Sequence, residues 1–168
     1  FDWTDTDGVL TITATDQNPG GRGVVTNLYE DSDSGALEIV SSKGMTITGS
    51  SFENNKDSNA GAAVSLWGNG GTGTEALSHS ISKTTFSGNE STNLGGAVAI
   101  FKWSSDYAVN SNTTFEDVVF TGNKTTSGTG QGGAIYAESE NVTIIGDKTS
   151  DTDYTTAFTG NSAYQGGA

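Results

Sequence analysis

Four segments of the chain repeat one order of apolar and polar residues. Each contains a Phe that is followed three residues later by an Asn, and a pair of small residues and a short apolar run come further on. The Phe and Asn pairs are Phe52 and Asn55, Phe86 and Asn89, Phe120 and Asn123, and Phe158 and Asn161. Successive Phe residues lie 34, 34 and 38 residues apart, which indicates tandem copies of one structural unit.

The residues after the small pair alternate as a half-buried strand does. Gly95 and Gly96 occupy the small pair in one unit, and Gly132 and Gly133 occupy it in the next. Three and five places after the first residue of each pair or its equivalent, the chain carries Leu37 and Ile39, Val64 and Leu66, Val98 and Ile100, and Ile135 and Ala137. A period of two predicts a strand with one buried face.

A second strand is predicted ahead of each Phe. Ile47, Ile81 and Phe115 each lie five residues before the Phe of their unit. The fourth unit has no apolar residue at that distance, and residues 141–146, with the sequence NVTIIG, are expected to replace it. Each unit therefore holds a strand after the small pair, a strand before the Phe, and a Phe-x-x-Asn strand or corner.

Units of this kind bury their apolar rows only when they stack on one another. Parallel stacking at about 4.8 Å places Phe on Phe in the interior and Asn on Asn at a corner, where the side-chain amides can form a ladder. We therefore predict an all-β protein, a β-solenoid of the right-handed parallel β-helix type with loop insertions between strands. An antiparallel sandwich is the alternative, but it does not require the same residue at the same place in every unit.

The pattern divides the chain into two parts. Residues 34–168 carry the repeats, and residues 1–33 match them weakly, so they are expected to form one or more N-terminal turns of a single β-helical piece. The last motif stops at Gly166-Gly167-Ala168, before its aliphatic residue, which favours a fragment of a longer protein.

Composition narrows the function classes. The net charge of −13 argues against a nucleic-acid partner, because phosphates would be repelled. The chain has no Cys, so it has neither disulfides nor a thiol nucleophile. No apolar stretch is long enough for a transmembrane helix. β-branched and small polar residues dominate, which suits strands and turns, and the chain has 24 Gly and 1 Pro.

Motifs for catalysis, cofactors and metals are incomplete. Two segments beginning at Gly68 and Gly128 fit G-x-G-x-x-G, but neither is followed by the helix that a dinucleotide site needs. Pairs of Asp at positions 5 and 7, 31 and 33, and 151 and 153 resemble calcium loops without completing the ligand series. His79 and Arg22 are single, and the sequence shows no convincing cluster of carboxylates with a basic residue of the kind that a glycan-cleaving site needs. We predict no enzyme activity, no cofactor, no metal site and no catalytic residue.

Four Asn-x-Ser/Thr acceptor patterns for N-glycosylation occur, at Asn89, Asn112, Asn123 and Asn141. Two of these Asn residues are also predicted ladder residues. The high content of Asn and Thr explains all four as chance occurrences.

Aromatic residues are expected on the outer face of the strand after the small pair. Trp67 and Phe101 occupy the same place in adjacent units, and Trp103 and Tyr107 lie in the insertion beyond. Alternation points this place outward, so these four residues are the candidate binding patch. The alternative is that the insertions fold over the patch and bury it.

The paired motifs GGA[ILV] and FxxN resemble the repeats of polymorphic outer membrane proteins, an autotransporter family best known from chlamydiae. The resemblance rests on Gly95 to Val98, Gly132 to Ile135 and the four Phe-x-x-Asn segments, and it covers roughly residues 34–168. It implies a β-helical passenger domain that is secreted, displayed at the bacterial outer membrane and used in virulence. Chlamydial members are usually rich in Cys, whereas this chain has none.

The resemblance and the residues together favour a cell-surface adhesin. The expected partner is a protein or glycan of the host-cell surface, and the membrane anchor is expected outside this segment. A structural or self-assembling surface solenoid, formed by end-to-end stacking of copies, is the second hypothesis. A carbohydrate-active β-helix enzyme is the third.

Overall fold

The structure is a computed structural model that describes residues 2–6, 9–13, 23–26, 29–30, 35–40, 44–68, 78–102, 112–138, 141–147 and 155–167. The regular elements of this part of the chain are all strands. They are β1 (Asp2–Thr6), β2 (Val9–Thr13), β3 (Gly23–Thr26), β4 (Tyr29–Glu30), β5 (Leu37–Val40), β6 (Gly44–Thr48), β7 (Ser50–Glu53), β8 (Lys56–Asp57), β9 (Val64–Gly68), β10 (Ser78–Ser82), β11 (Thr85–Ser87), β12 (Glu90–Ser91), β13 (Val98–Lys102), β14 (Asn112–Glu116), β15 (Val119–Thr121), β16 (Lys124–Thr125), β17 (Ile135–Ala137), β18 (Asn141–Ile145) and β19 (Ala157–Thr159).

The strands form four sheets, and successive strands of the chain visit the sheets in turn. Sheet 1 has the order β1-β2-β6-β10-β14-β18, and sheet 2 has the order β19-β15-β11-β7-β3. Sheet 3 has the order β16-β12-β8-β4, and sheet 4 has the order β17-β13-β9-β5. Each complete coil therefore gives one strand to every sheet. The chain is a parallel β-helix, as the repeats predict.

Sheet 1 confirms the strand that was predicted ahead of each Phe. Ile81 pairs in register with Ile47 on one side and with Phe115 on the other. All three side chains are fully buried. Phe115 in turn pairs with Ile144, so the segment from Asn141 does replace the missing strand of the fourth unit.

Sheet 2 carries the stacked Phe residues. The ring centroids of Phe52 and Phe86 lie 5.2 Å apart, those of Phe86 and Phe120 lie 4.9 Å apart, and the planes are within 11° of parallel. Phe158 continues the stack at 4.8 Å from Phe120. The first three rings are fully buried, and they form the centre of the hydrophobic core.

An Asn ladder lines the corner between sheets 2 and 3. The backbone N–H and the Nδ2 of Asn55 both donate to Oδ1 of Asn89, at 3.1 Å each. Asn89 donates in the same way to Asn123, and Asn123 donates to Asn161. Each Asn thus satisfies buried backbone and side-chain groups of its neighbour, which explains why the corner requires this residue.

The glycine pair makes the corner that enters sheet 4. Gly95 and Gly132 have φ values of +56° and +67°, a region that L side chains avoid. At the second place, a Cβ on Gly96 would collide with the backbone oxygen of Gly133 in the next coil. The first glycine therefore supplies the backbone turn, and the second permits close contact between coils.

Sheet 3 was not predicted, because its strands are only two residues long. Its outer row alternates in charge: Nζ of Lys56 lies 3.6 Å from Oε2 of Glu90, and Nζ of Lys124 lies 3.0 Å from the same oxygen. Register pairs Glu90 with both lysines.

The N-terminal strands β2, β3 and β4 join sheets 1, 2 and 3 in parallel with the next coil. Val25 takes the place that Phe52 has in that coil. The strand β1 differs, since it pairs with β2 in the antiparallel direction. Strong repeat motifs are therefore not needed for β2, β3 and β4 to continue the sheets.

Candidate binding face

The outward side of sheet 4 is the candidate site, and we call it the aromatic face. It is defined by Ser65, Ala99, Phe101, Tyr136 and Glu138. The residues that alternate with them face inward, and Val64, Leu66, Val98 and Ile100 are all buried in the central core. The strand period of two therefore separates a core row from an outer row in each coil.

Phe101 and Tyr136 are the aromatic pair of this face. Their ring centroids lie 5.9 Å apart, and the planes meet at 45°. Together with Ala60, Leu94 and Ala99 they form an apolar cluster separate from the central core. Tyr136 is half-buried, so one side of the pair remains accessible.

Phe101 points outward, as alternation predicts, but it is buried, which is the alternative that the sequence left open. The side chain belongs to the outer cluster, yet only 6% of its surface is exposed. The cause is the segment before the glycine pair, which packs on the outside of sheet 4. Ala60 and Leu94 come from this segment. The hydroxyl of Ser65 donates to the carbonyl of Ala60 at 3.0 Å, and this bond fixes the segment to sheet 4.

The structure describes the other three predicted binding residues only in part or not at all. The backbone of Trp67 pairs in register with that of Phe101, which confirms that the two positions are neighbours on adjacent coils. Trp103 and Tyr107 lie outside the described residues. The predicted role of these residues in binding stays a prediction.

Tyr136 is the residue of this face that sequence reasoning did not select. It pairs in register with Ala99 and stands two places before Glu138. Burial raises the pKa of Tyr136 above its usual value, and the charge of Glu138 raises it further. Its hydroxyl is therefore a neutral hydrogen-bond group at physiological pH. The sequence signal that could have identified Tyr136 is its position between Ile135 and Ala137, since alternation points these two residues inward and Tyr136 outward.

The structure also places several of the motifs that were considered for cofactor and metal binding. The segment at Gly128 leads into the strand β17, so it does not open a helix. Within the described residues, no three His, Cys, Asp or Glu side chains are grouped as metal ligands. Of the paired Asp residues, only Asp5 falls in a described segment, in β1. His79 is buried in sheet 1, at 5% exposure.

The described residues contain no helix that could span a membrane.

Comparison with known proteins supports the repeat assignment. No curated protein and no solved structure shows a significant match. The sequence model of the Chlamydia polymorphic membrane protein repeat matches residues 83–100 and 117–138, which run from sheet 2 to sheet 4 in two successive coils. The chain therefore carries tandem repeats of the Chlamydia polymorphic membrane protein type.

Proposed function

We propose that this chain is part of the passenger region of a bacterial surface protein and that it acts as an adhesin, without catalysis. The family of the matched repeats is named for a membrane protein, and this supports a location at the bacterial surface. The observation that carries the adhesive role is the half-buried Tyr136 on the outside of sheet 4, which packs against the buried Phe101, with the backbone of Trp67 next to that of Phe101 in register.

The stack beneath this face is suited to hold it. Ala99 and Phe101 pack beside Tyr136 and are buried, so Tyr136 rests on packed strands and not on a loop. Aromatic side chains on a rigid support lose little conformational entropy on binding and bury a large apolar area. A half-buried Tyr136 adds a hydroxyl that can select a polar partner. The partner we propose is a host-cell surface protein or glycan.

The test is binding of the purified chain to host cells and to a glycan array. We expect Tyr136→Ala and the double variant Trp67→Ala/Trp103→Ala to lose most of the binding. Thr114→Ala on sheet 1 is the matched control and should bind as the wild type does. Every variant must first show a normal thermal melt. Undiminished binding by well-folded aromatic variants would remove this face from the proposal.

Self-assembly is the second candidate, and a different observation favours it. Ile144 and Ile145 in β18 are 52% and 44% exposed. Beside them is an open depression of about 410 Å³, which is lined by Ile135, Ala137, Val142, Ile144 and Phe158. Exposed apolar surface promotes association, and β18 is the last strand in the described order of sheet 1.

Sedimentation over a range of concentrations tests this candidate. If β18 mediates association, Ile144→Lys should give a monomer, whereas Thr143→Lys on the neighbouring position should not. A wild-type chain that stays monomeric at high concentration would leave adhesion as the only proposed role.

A further inference from the structure

The four glycosylation acceptor patterns are not equivalent in the folded chain. N-linked transfer requires an accessible Asn side-chain nitrogen, and a hydroxyl two residues later. The sequence alone treats all four as equal. The fold places two of them in the buried ladder and two at the start of strands in sheet 1, so accessibility divides them.

Asn89 and Asn123 are closed to modification. Both are fully buried, and the hydroxyl residues of their patterns, Ser91 and Thr125, are buried too. Nδ2 of Asn89 donates to the carbonyl of Phe52 at 3.0 Å and to Asn123 at 2.9 Å. Both hydrogens of this nitrogen are therefore engaged, and a sugar would have to break the ladder. Nδ2 of Asn123 makes the equivalent two bonds.

Asn112 and Asn141 are open. Each is the exposed first residue of its strand, β14 or β18. A strand presents residues i and i+2 on the same face, so each Asn shares the outer face of sheet 1 with its hydroxyl partner. Thr143 is exposed and Thr114 is half-buried. The middle residues turn the other way, and Thr113 is fully buried.

The two open Asn residues are neighbours. They pair in register across β14 and β18, and Nδ2 of Asn141 donates to Oδ1 of Asn112 at 3.1 Å. Adjacent strands lie about 4.8 Å apart, which is less than the width of a sugar ring with its hydration. A sugar on one Asn therefore covers the other.

We propose that Asn112 and Asn141 form a single acceptor site for N-linked glycosylation of the folded chain. The donor is a sugar activated by a phosphate leaving group, and a glycosyltransferase supplies the catalysis. A bond forms between Nδ2 and the anomeric carbon, the bond from that carbon to the donor phosphate oxygen breaks, and the Nδ2 proton leaves to the transferase base. A modified Asn141 keeps one Nδ2 hydrogen for its bond to Asn112.

The experiment treats the purified chain with a soluble N-glucosyltransferase and UDP-glucose, and measures intact mass and modified positions. Four synthetic peptides, one for each pattern, are treated in parallel. We expect all four peptides to accept glucose. The folded chain should accept one glucose, at Asn112 or Asn141, and none at Asn89 or Asn123. The double variant Asn112→Gln/Asn141→Gln, checked by its melt, should accept none.

Each other result overturns the proposal in whole or in part. An unmodified folded chain, or glucose at Asn89 or Asn123, would contradict the accessibility argument. Two glucoses on one chain would remove the single-site claim. Failure of the Asn112 and Asn141 peptides would show that these patterns are not acceptors.

Discussion

Two interior rows run along the stack, and they differ in how strictly they repeat. In sheet 2 the row is Phe at four successive coils, with ring centroids 4.8 to 5.2 Å apart. In sheet 1 the row that contains Met45, two residues before Ile47, has a different residue type in every coil. Its members are Met45, His79, Thr113 and Val142. The first three of these are as well buried as the Phe residues.

The comparison shows what repetition adds to burial. The Phe row and its Asn ladder satisfy each buried group with an identical partner in the next coil. In the mixed row, Nδ1 of His79 and Oγ1 of Thr113 are buried without a hydrogen-bond partner among the described residues. Such groups cost free energy, typically about 1–3 kcal/mol each. The fold therefore depends on the uniform row and tolerates the mixed one.

The largest effect is expected from a charge in the uniform row. Phe120→Asp should lower the free energy of unfolding by on the order of the whole stability of a domain, about 5 kcal/mol or more, because it buries an unpaired carboxylate. Thr121→Asp, on an exposed neighbouring residue, should change it little. Circular dichroism melts of both variants measure the difference. Equal melts would contradict the central position of the Phe stack.

The Asn ladder should be the next most sensitive feature. Asn89→Ala removes the acceptor of two Asn55 donors and leaves them buried, so we expect a loss of about 3 kcal/mol. The matched control is Asn141→Ala, which breaks an Asn–Asn bond in the exposed part of sheet 1. It should cost less than about 0.5 kcal/mol, since water replaces the lost partner. Urea unfolding of both proteins checks the ratio.

The mixed row should make stability depend on pH. Burial lowers the pKa of His79 from 6.5 to about 4. The unfolded chain therefore binds a proton below pH 6.5, while the folded chain does so only near pH 4. The free energy of unfolding should be unaffected by His79 above about pH 7 and should fall by about 3 kcal/mol as the pH drops to 4.

A variant separates this contribution from that of the carboxylates. His79→Met copies the residue of the preceding coil and cannot titrate. The difference in unfolding free energy between wild type and variant should change between pH 7 and 4, and stay constant above pH 7. A constant difference over the whole range would mean that the mixed row carries no titrating group.

The smallest effect is expected from the charged row of sheet 3. The Lys124 ammonium that hydrogen-bonds Glu90 holds the pKa of that carboxyl below its usual value, and Lys56 contributes to the shift. Both lysines are about half exposed, so Glu90→Gln should cost only about 0.5 kcal/mol. The loss should disappear in about 1 M salt. Glu116→Gln, at an exposed position of sheet 1, is the control.

Much of the fold was predictable because stacking makes one coil repeat the constraints of the next. The spacing of Phe and Asn gave the unit, and the register of Ile47, Ile81 and Phe115 followed from it. The sheet of two-residue strands was not predictable, since two residues show no periodicity. The antiparallel β1 was missed because pairing direction leaves no mark on a single strand.

The candidate site was less predictable for a related reason. Alternation correctly places Phe101 on the outside, but burial of an outward residue depends on what packs over it. Ala60 and Leu94 belong to a corner segment whose path is not contained in the alternation of β13. Tyr136 was passed over because its row holds Ser65 and Ala99, which do not suggest an aromatic place.

The Asn ladder has a consequence for how such proteins change over evolutionary time. In every coil the ladder Asn accepts hydrogen bonds from one neighbouring coil at its Oδ1. It donates to the other neighbouring coil through its backbone N–H and its Nδ2. Removing or duplicating one repeat of 34 or 38 residues, counted from one ladder position to the next, therefore restores the same contact. Recombination within the gene can lengthen or shorten the rod by whole coils, and the outer residues of a new copy are then free to diverge.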